Sequence, residues 1–207
     1  FQVVLVDDAS DDGSIGPDFI ERVRKHVKAH WRENLSDRLK IIRHPTPWGC
    51  SRSRAHAIRE AFGEIIQVWD GHQRMDTWLG PEILAATAQD RGGIVITAVR
   101  NLGNPIDGKH TYGACFQLKG QPWAILNKHI ETPPVETICR RQAIIGCGYT
   151  LTRETLAALG GWPELPGIWA YNEQWLGFRA FFLDIPLWVH AGVKTQHRYK
   201  KEFGYPC

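Results

Sequence analysis

Apolar and polar positions fall along the chain in blocks that read as strands alternating with helices. Val3 to Val6 form a near-continuous apolar run, the pattern of a strand covered on both faces in a parallel sheet, and the run ends in the acidic, glycine-containing stretch Asp7 to Ser14. Phe19, Ile20, Val23 and Val27, with charges between them, predict an amphipathic helix over 19–30. Leu39 to Ile42 follows as a short strand. Pro45, Pro47 and Gly49 break the next stretch, and Ser51 to Phe62 reads as a helix with Ala55, Ile58 and Phe62 inward and Ser51 or Ser53 as its cap. Beyond it, Glu64 to Trp69 is a strand, Pro81 to Gln89 a helix with proline at a permitted first-turn position, and Ile94 to Val99 another buried strand. Residues 101–141 are irregular, with room for two strands. Ile144 to Thr152 reads as a strand whose glycines allow close approach of a ligand. Thr152 then caps a helix over Arg153 to Leu159, which Gly160 and Gly161 end. A last helix opens at Asn172 and Glu173 and runs to Phe182, before a short strand at Leu187 to Val189. The alternation predicts an α/β fold with a mostly parallel central sheet flanked by helices.

Composition narrows the class only a little. With 207 residues, 43% of them hydrophobic, the chain is expected to form one domain over 1–207. A net charge of +3 would help attract a nucleotide diphosphate and is far below that of a dedicated nucleic-acid binder. Five cysteines without C-x-x-C spacing do not make a disulfide framework, and no apolar run approaches the roughly 20 residues of a membrane span. Cysteine usage and the absence of a charged-then-apolar leader favour a cytoplasmic protein, although the chain opens on Phe1 rather than methionine.

Candidate chemistry sits at strand ends, where ligands of open α/β sheets bind. Asp70 and His72 lie just past a strand, separated by Gly71; a carboxylate and an imidazole together suit Mn²⁺ best, with Mg²⁺ and Zn²⁺ as alternatives. An Asp-Gly pair after a strand is also a common turn. Asp7 and Asp8 read either as solvated turn carboxylates or as an acidic cluster for Mg²⁺. Arg52 and Arg54 stand at a helix amino terminus, a good place for a diphosphate, or they solvate that turn. Glu173 either complements its helix dipole or points into a site. His197, near a basic tail, reads by its own surroundings as a surface residue.

Taken together, these segments resemble the nucleotide-sugar-dependent glycosyltransferases of the GT-A fold. Val6 to Ser10 (Val-Asp-Asp-Ala-Ser) is similar to the acidic strand-end motif of family 2 enzymes and matches the form found in polypeptide N-acetylgalactosaminyltransferases. Gly49 to Ala55, followed by Ala61 to Glu64, resembles the helix leading to their metal motif. Asp70-Gly71-His72, with Trp78-Leu79 downstream, resembles their Asp-x-His and Gly-Trp-Leu. The glycine-rich run from Ile145, the turn Leu159 to Pro163 and the segment from Ile168 to Arg179 continue the likeness in order.

The resemblance implies a metal-dependent transfer of a hexose or N-acetylhexosamine from a UDP-sugar to an acceptor hydroxyl. On that reading Asp70, His72 and His197 hold Mn²⁺ or Mg²⁺, Asp7 or Asp8 meets the uracil, and Arg52 and Arg54 meet the diphosphate. Gly146 and Trp169 contact the donor, and Glu173, with Asp70, is catalytic. The acceptor implied is a protein, a glycan or a modified nucleic-acid base. Two departures stand out: Asn172-Glu173 replaces the family's Glu-Asn or Glu-Asp, and the strand-helix unit that precedes the acidic strand in the family is not seen at the start of this chain. A sugar-phosphate nucleotidyltransferase is a rival, but it is expected to open on a glycine-rich loop that is not found here. A non-catalytic module that binds a glycan or a nucleotide is the second.

Overall fold

A computed structural model describes residues 1–11, 13, 15, 16, 18, 19, 21–23, 25, 38–103, 108–119, 124–167 and 171–199, of which 118–119 and 124–127 are described by strand assignment alone. Contacts divide the chain into two compact units. One comprises Phe1–Gly63, Glu164–Ala170 and Tyr205–Cys207, the other Glu64–Pro163 and Tyr171–Gly204.

In the first unit, β1 (Val3–Asp7) and β2 (Leu39–Arg43) pair in parallel, in register from Val3 with Leu39 to Asp7 with Arg43. The helix expected over 19–30 is helical at its described positions up to Lys25, and its remainder lies outside the described residues. Helix α1 (Cys50–Glu60) packs on β1 and buries Ser51, Ser53, Ala55 and Ile58. Two expectations change here. Gly49, at φ 85°, is the N-cap, because Ser51 faces inward and its hydroxyl accepts from the Leu165 N–H at 3.1 Å. Phe62 lies beyond the helix end and is exposed.

The second unit is built on a six-stranded sheet, whose elements are β3 (Ile65–Val68), β4 (Gln73–Met75), β5 (Ile94–Asn101), β8 (Ile138–Arg141), β9 (Tyr149–Thr152) and β10 (Leu187–His197). Its order is β3-β9-β5-β10-β4, with β8 also beside β10. The pairing of β5 with β10 is parallel, while β3–β9, β5–β9, β4–β10 and β8–β10 are antiparallel, so the sheet is mixed. The largely apolar β5, buried at every position from Ile94 to Arg100, reports burial on both faces rather than strand direction. Helix α2 (Gly80–Arg91) packs across β3, β5, β9 and β10; Leu84 and Ala88, one turn apart, are fully buried with Val95 and Val193. Strands β6 (Ala114–Lys119) and β7 (Ala124–His129) form a hairpin inside the stretch that gave no clear period.

Helix α3 (Arg153–Ala158) starts as expected, the Thr152 hydroxyl accepting from the Thr155 N–H at 3.0 Å, and Gly160 and Gly161 end it at φ 79° and 89°. Helix α4 (Asn172–Phe182) opens on Tyr171 in the left-handed region. Two strand lengths differ from expectation. Strand β9 begins only at Tyr149, since Gly148 at φ 73° cannot continue an extended run. Strand β10 continues past Val189 to His197 across an irregularity between His190 and Lys194, where the Val193 N–H donates to His190 Nδ1 at 3.1 Å. No helix among the described residues is long and apolar enough to cross a membrane.

Candidate functional site

The turn after β3 is closed by its own groups: the Gln73 N–H donates to the Asp70 carbonyl at 3.1 Å, and the Asp70 N–H donates to Gln73 Oε1 at 3.0 Å. Gly71 is not in the left-handed region, and a Cβ placed there would meet nothing within 4 Å. Its value is the open space before the turn rather than backbone freedom. Gln73 then pairs with His197 in the antiparallel β4–β10 ladder, and the Arg198 N–H donates to the His72 carbonyl at 3.3 Å. This pairing brings the residue from the chain's far end to the turn.

The result is a cluster in which Asp70, His72 and His197 each present one ligand atom within 4.8 Å of the others. His197 Nε2 lies 3.2 Å from Asp70 Oδ2, and the His72 and His197 rings are 4.5 Å apart between centroids. A spacing of 3.2 Å is long for a charge-assisted hydrogen bond. It is near the roughly 3 Å between adjacent ligands that each stand about 2.1 Å from one ion. One carboxylate oxygen and two imidazole nitrogens are a donor set for Mn²⁺ or Zn²⁺. Asp70 and His197 are held mostly out of water while His72 is exposed. His197 therefore does not behave as a surface residue: it is the end of a paired strand.

A short loop backs this cluster. Gly148 lies against Trp69, so close that a Cβ there would stand 2.6 Å from the indole ring, and Trp69 in turn precedes Asp70. Cys147 is buried and contacts the Tyr199 phenol, whose ring packs edge-on against His197 at 4.6 Å. Burial, with Cys147 and Asp70 alongside, pushes the Tyr199 phenol well up, although 44% of the residue as a whole stays exposed. Gly146 faces the Glu173 carboxylate, since a Cβ there would meet the carboxylate oxygens at 3.2 and 3.3 Å. Glu173 thus lies over the glycine-rich loop in the first turn of α4, with Asn172 buried beside it.

The first unit carries the acidic loop. Asp7 is buried; its Oδ1 accepts from the Ser10 N–H at 2.9 Å and its Oδ2 has Arg43 Nε at 3.5 Å. Ala9 turns the chain with a left-handed φ of 62°. Asp8 is fully engaged. Its Oδ1 accepts from the Trp48 N–H at 2.8 Å and contacts His44 Nδ1 at 2.7 Å, and its Oδ2 accepts from the Gly49 N–H at 2.8 Å. Burial alone would raise the Asp8 carboxyl, but His44 and these two N–H groups outweigh it and hold the carboxyl below the usual range. An open cleft of about 490 Å³, lined by Ala9, Ser10, Asp11, Arg43, His44 and Pro45, lies at these strand ends, within the size range of small-ligand sites. Arg52 is exposed and Arg54 half-buried on the first turns of α1. Trp169 lies outside the described residues.

Sequence reasoning missed His44, His56 and Trp48. His44 Nε2 lies 2.9 Å from His56 Nδ1, and the Trp48 indole stacks on His44 at 3.9 Å. A tryptophan between Pro47 and Gly49, in a turn where polar residues are usual, was the available signal.

Residues 1–146 match the family model for glycosyl transferase family 2. The chain belongs to this family. Among relatives, N-acetylgalactosaminyltransferase 7 of Drosophila melanogaster is 26% identical over 92% of this chain and 31% of its own length. Polypeptide N-acetylgalactosaminyltransferase 11 of Xenopus tropicalis is 22% identical over 99% of this chain and 34% of its own length. The chain thus spans about a third of the length of these family 2 relatives. Among solved structures, GalNAc-T7 with UDP, GalNAc and Mn²⁺ superposes with a TM-score of 0.78 at 18% identity, covering 100% of this chain and 39% of that one. The mannosyltransferase PcManGT from Pyrobaculum calidifontis, in complex with GDP-Man and Mn²⁺, gives 0.56 at 18% identity, over 99% of this chain and 49% of that one. The fold is GT-A, as the sequence led one to expect.

Proposed function

We propose that this family 2 chain is a metal-dependent glycosyltransferase that moves a hexose or N-acetylhexosamine from a UDP-sugar to an acceptor hydroxyl. The observation that carries this reading is the convergence of Asp70, His72 and His197 within 4.8 Å. Relatives named N-acetylgalactosaminyltransferases, and neighbours solved with nucleotides, nucleotide-sugars and Mn²⁺, support it. Asp70, His72 and His197 would hold the divalent ion, which when bound supplies Lewis-acid neutralisation of charge on the departing diphosphate.

The protein's own groups have separable tasks. Arg52 and Arg54, on the first turns of α1, would contact diphosphate oxygens. Asp7 or Asp8 would meet the uracil imide: the Asp7 side chain is fully buried, whereas the Asp8 carboxylate keeps 27% exposure but already holds backbone and His44. Glu173 beside Gly146 is suited to bind sugar hydroxyls or to take the acceptor proton, for which it needs to stand about 3 Å from the acceptor oxygen. A protein hydroxyl is the acceptor favoured by the polypeptide-modifying relatives.

The test is incubation with Mn²⁺ and a panel of UDP-sugars, reading slow donor hydrolysis and transfer to an acceptor library by mass spectrometry. Asp70→Asn, nearly isosteric, is expected to fold and to lose metal-supported turnover. Undiminished activity of that variant in chelated buffer would overturn the reading, and so would failure of the unaltered protein to bind or cleave any UDP-sugar.

A further inference from the structure

From the geometry of the first unit we infer that the Trp48 indole is a preorganised stacking platform for the nucleobase of the donor, an inference that rests on the nucleotide-sugar reading above. His44 and His56 lie almost coplanar, 3° apart, joined edge to edge by the 2.9 Å contact between Nε2 and Nδ1. Trp48 covers both rings from one side, at 3.9 Å and 18° from His44 and at 5.4 Å and 17° from His56. The two-ring indole thus lies over a two-imidazole floor.

Both ends of this arrangement are fixed. The Trp48 and Gly49 N–H groups donate to Asp8, which also holds His44 through Nδ1, so one carboxylate sets the backbone of the platform and the floor beneath it. Of the floor, His44 is buried at 3% exposed and His56 is half-buried, while Trp48 keeps 40% of its surface open. With one face of the indole covered, that opening belongs to its other face and edge. An indole needed only to cap the histidines has no reason to be held flat with so much surface in water, whereas a flat ring fixed in advance is what a base can stack on without ordering cost. Trp48 immediately precedes the α1 amino terminus, whose first turns carry Arg52 and Arg54, so a base on the indole leaves the rest of a nucleoside diphosphate beside donors for its phosphates. Stacking is tolerant of base identity, so the platform supplies affinity, and discrimination between bases is left to the groups around it.

The experiment compares UDP, UMP and inorganic pyrophosphate by calorimetry, with Mn²⁺ present, on the unaltered chain and on Trp48→Leu and Trp48→Phe. Base stacking is worth about 1–3 kcal/mol by side-chain deletion, so Trp48→Leu is expected to weaken UDP and UMP by about 5- to 150-fold and to leave pyrophosphate unchanged. Trp48→Phe should recover most of the loss. Equal loss for UDP and pyrophosphate, or equal UDP affinity in all three proteins, overturns the platform. If Trp48→Leu does not fold, saturation-transfer NMR on the unaltered chain decides: strongest transfer to the pyrimidine H5 and H6 is expected, and transfer confined to the ribose refutes the inference. A chain that binds UDP without this pattern defeats only the platform, whereas one that binds no nucleotide at all defeats the functional reading beneath it.

Discussion

Replacing Asp8 with Asn tests how the acidic loop is held. The carboxylate receives the Trp48 and Gly49 N–H groups and His44 Nδ1, all at 2.7–2.8 Å, and is 27% exposed. Asparagine keeps one acceptor oxygen and turns an NH₂ group toward at least one of those donors. Losing one charge-assisted bond costs about 1.5–3 kcal/mol, and facing two donors toward each other adds to it, while partial exposure trims it, so a destabilisation of about 2–3 kcal/mol is expected. The assay is urea unfolding of both proteins followed by tryptophan fluorescence from pH 7 downward. An aspartate with a folded-state pKa below its ordinary 3.8 stabilises the fold fully above that value and loses the contribution as pH falls through the lower, folded-state pKa. The gap between the two proteins should therefore be flat from pH 7 to about pH 5 and begin to close below about pH 4. A gap under about 0.5 kcal/mol at pH 7, or one that does not narrow in acid, would refute the reasoning.

Three further substitutions probe the second unit. His197→Ala is expected to weaken Mn²⁺ affinity by more than the 10- to 100-fold typical of losing an outer-shell partner, read by titrating Mn²⁺ against nucleotide binding; unchanged affinity would make that histidine a bystander. Gly148→Ala, which forces a Cβ to 2.6 Å from the Trp69 ring at a left-handed φ, should cost about 2 kcal/mol or more in urea unfolding. Gly71→Ala, where a Cβ meets open space, should stay within about 0.5 kcal/mol in the same assay.

What could be read in advance and what could not follow from range. Thr152 as a cap, Pro81 at the start of α2 and the Gly160-Gly161 stop are local chemistry, and the structure has them where side-chain type put them. Asp70 and His72 were legible as a pair because a single residue separates them. His197 was legible only through family likeness, since its place depends on β10 pairing with β4 across more than a hundred residues, and periodicity carries no record of which strand will neighbour which. Ser51 and Ser53 misled because small hydroxyls serve equally as caps and as buried contacts under a tightly packed helix. The His44, His56 and Trp48 stack arises from a loop folding onto a helix, and no spacing rule describes it.

The long strand β10 has one more consequence. A cation gripped by residues 70, 72 and 197 would clasp two points 127 positions apart, closing a very large ring of chain. Because His197 reaches the turn through the pairing of β10 with β4, the three-residue site would be complete only with that pairing in place. Metal binding at the full three-residue site would then be coupled to completion of the sheet around it.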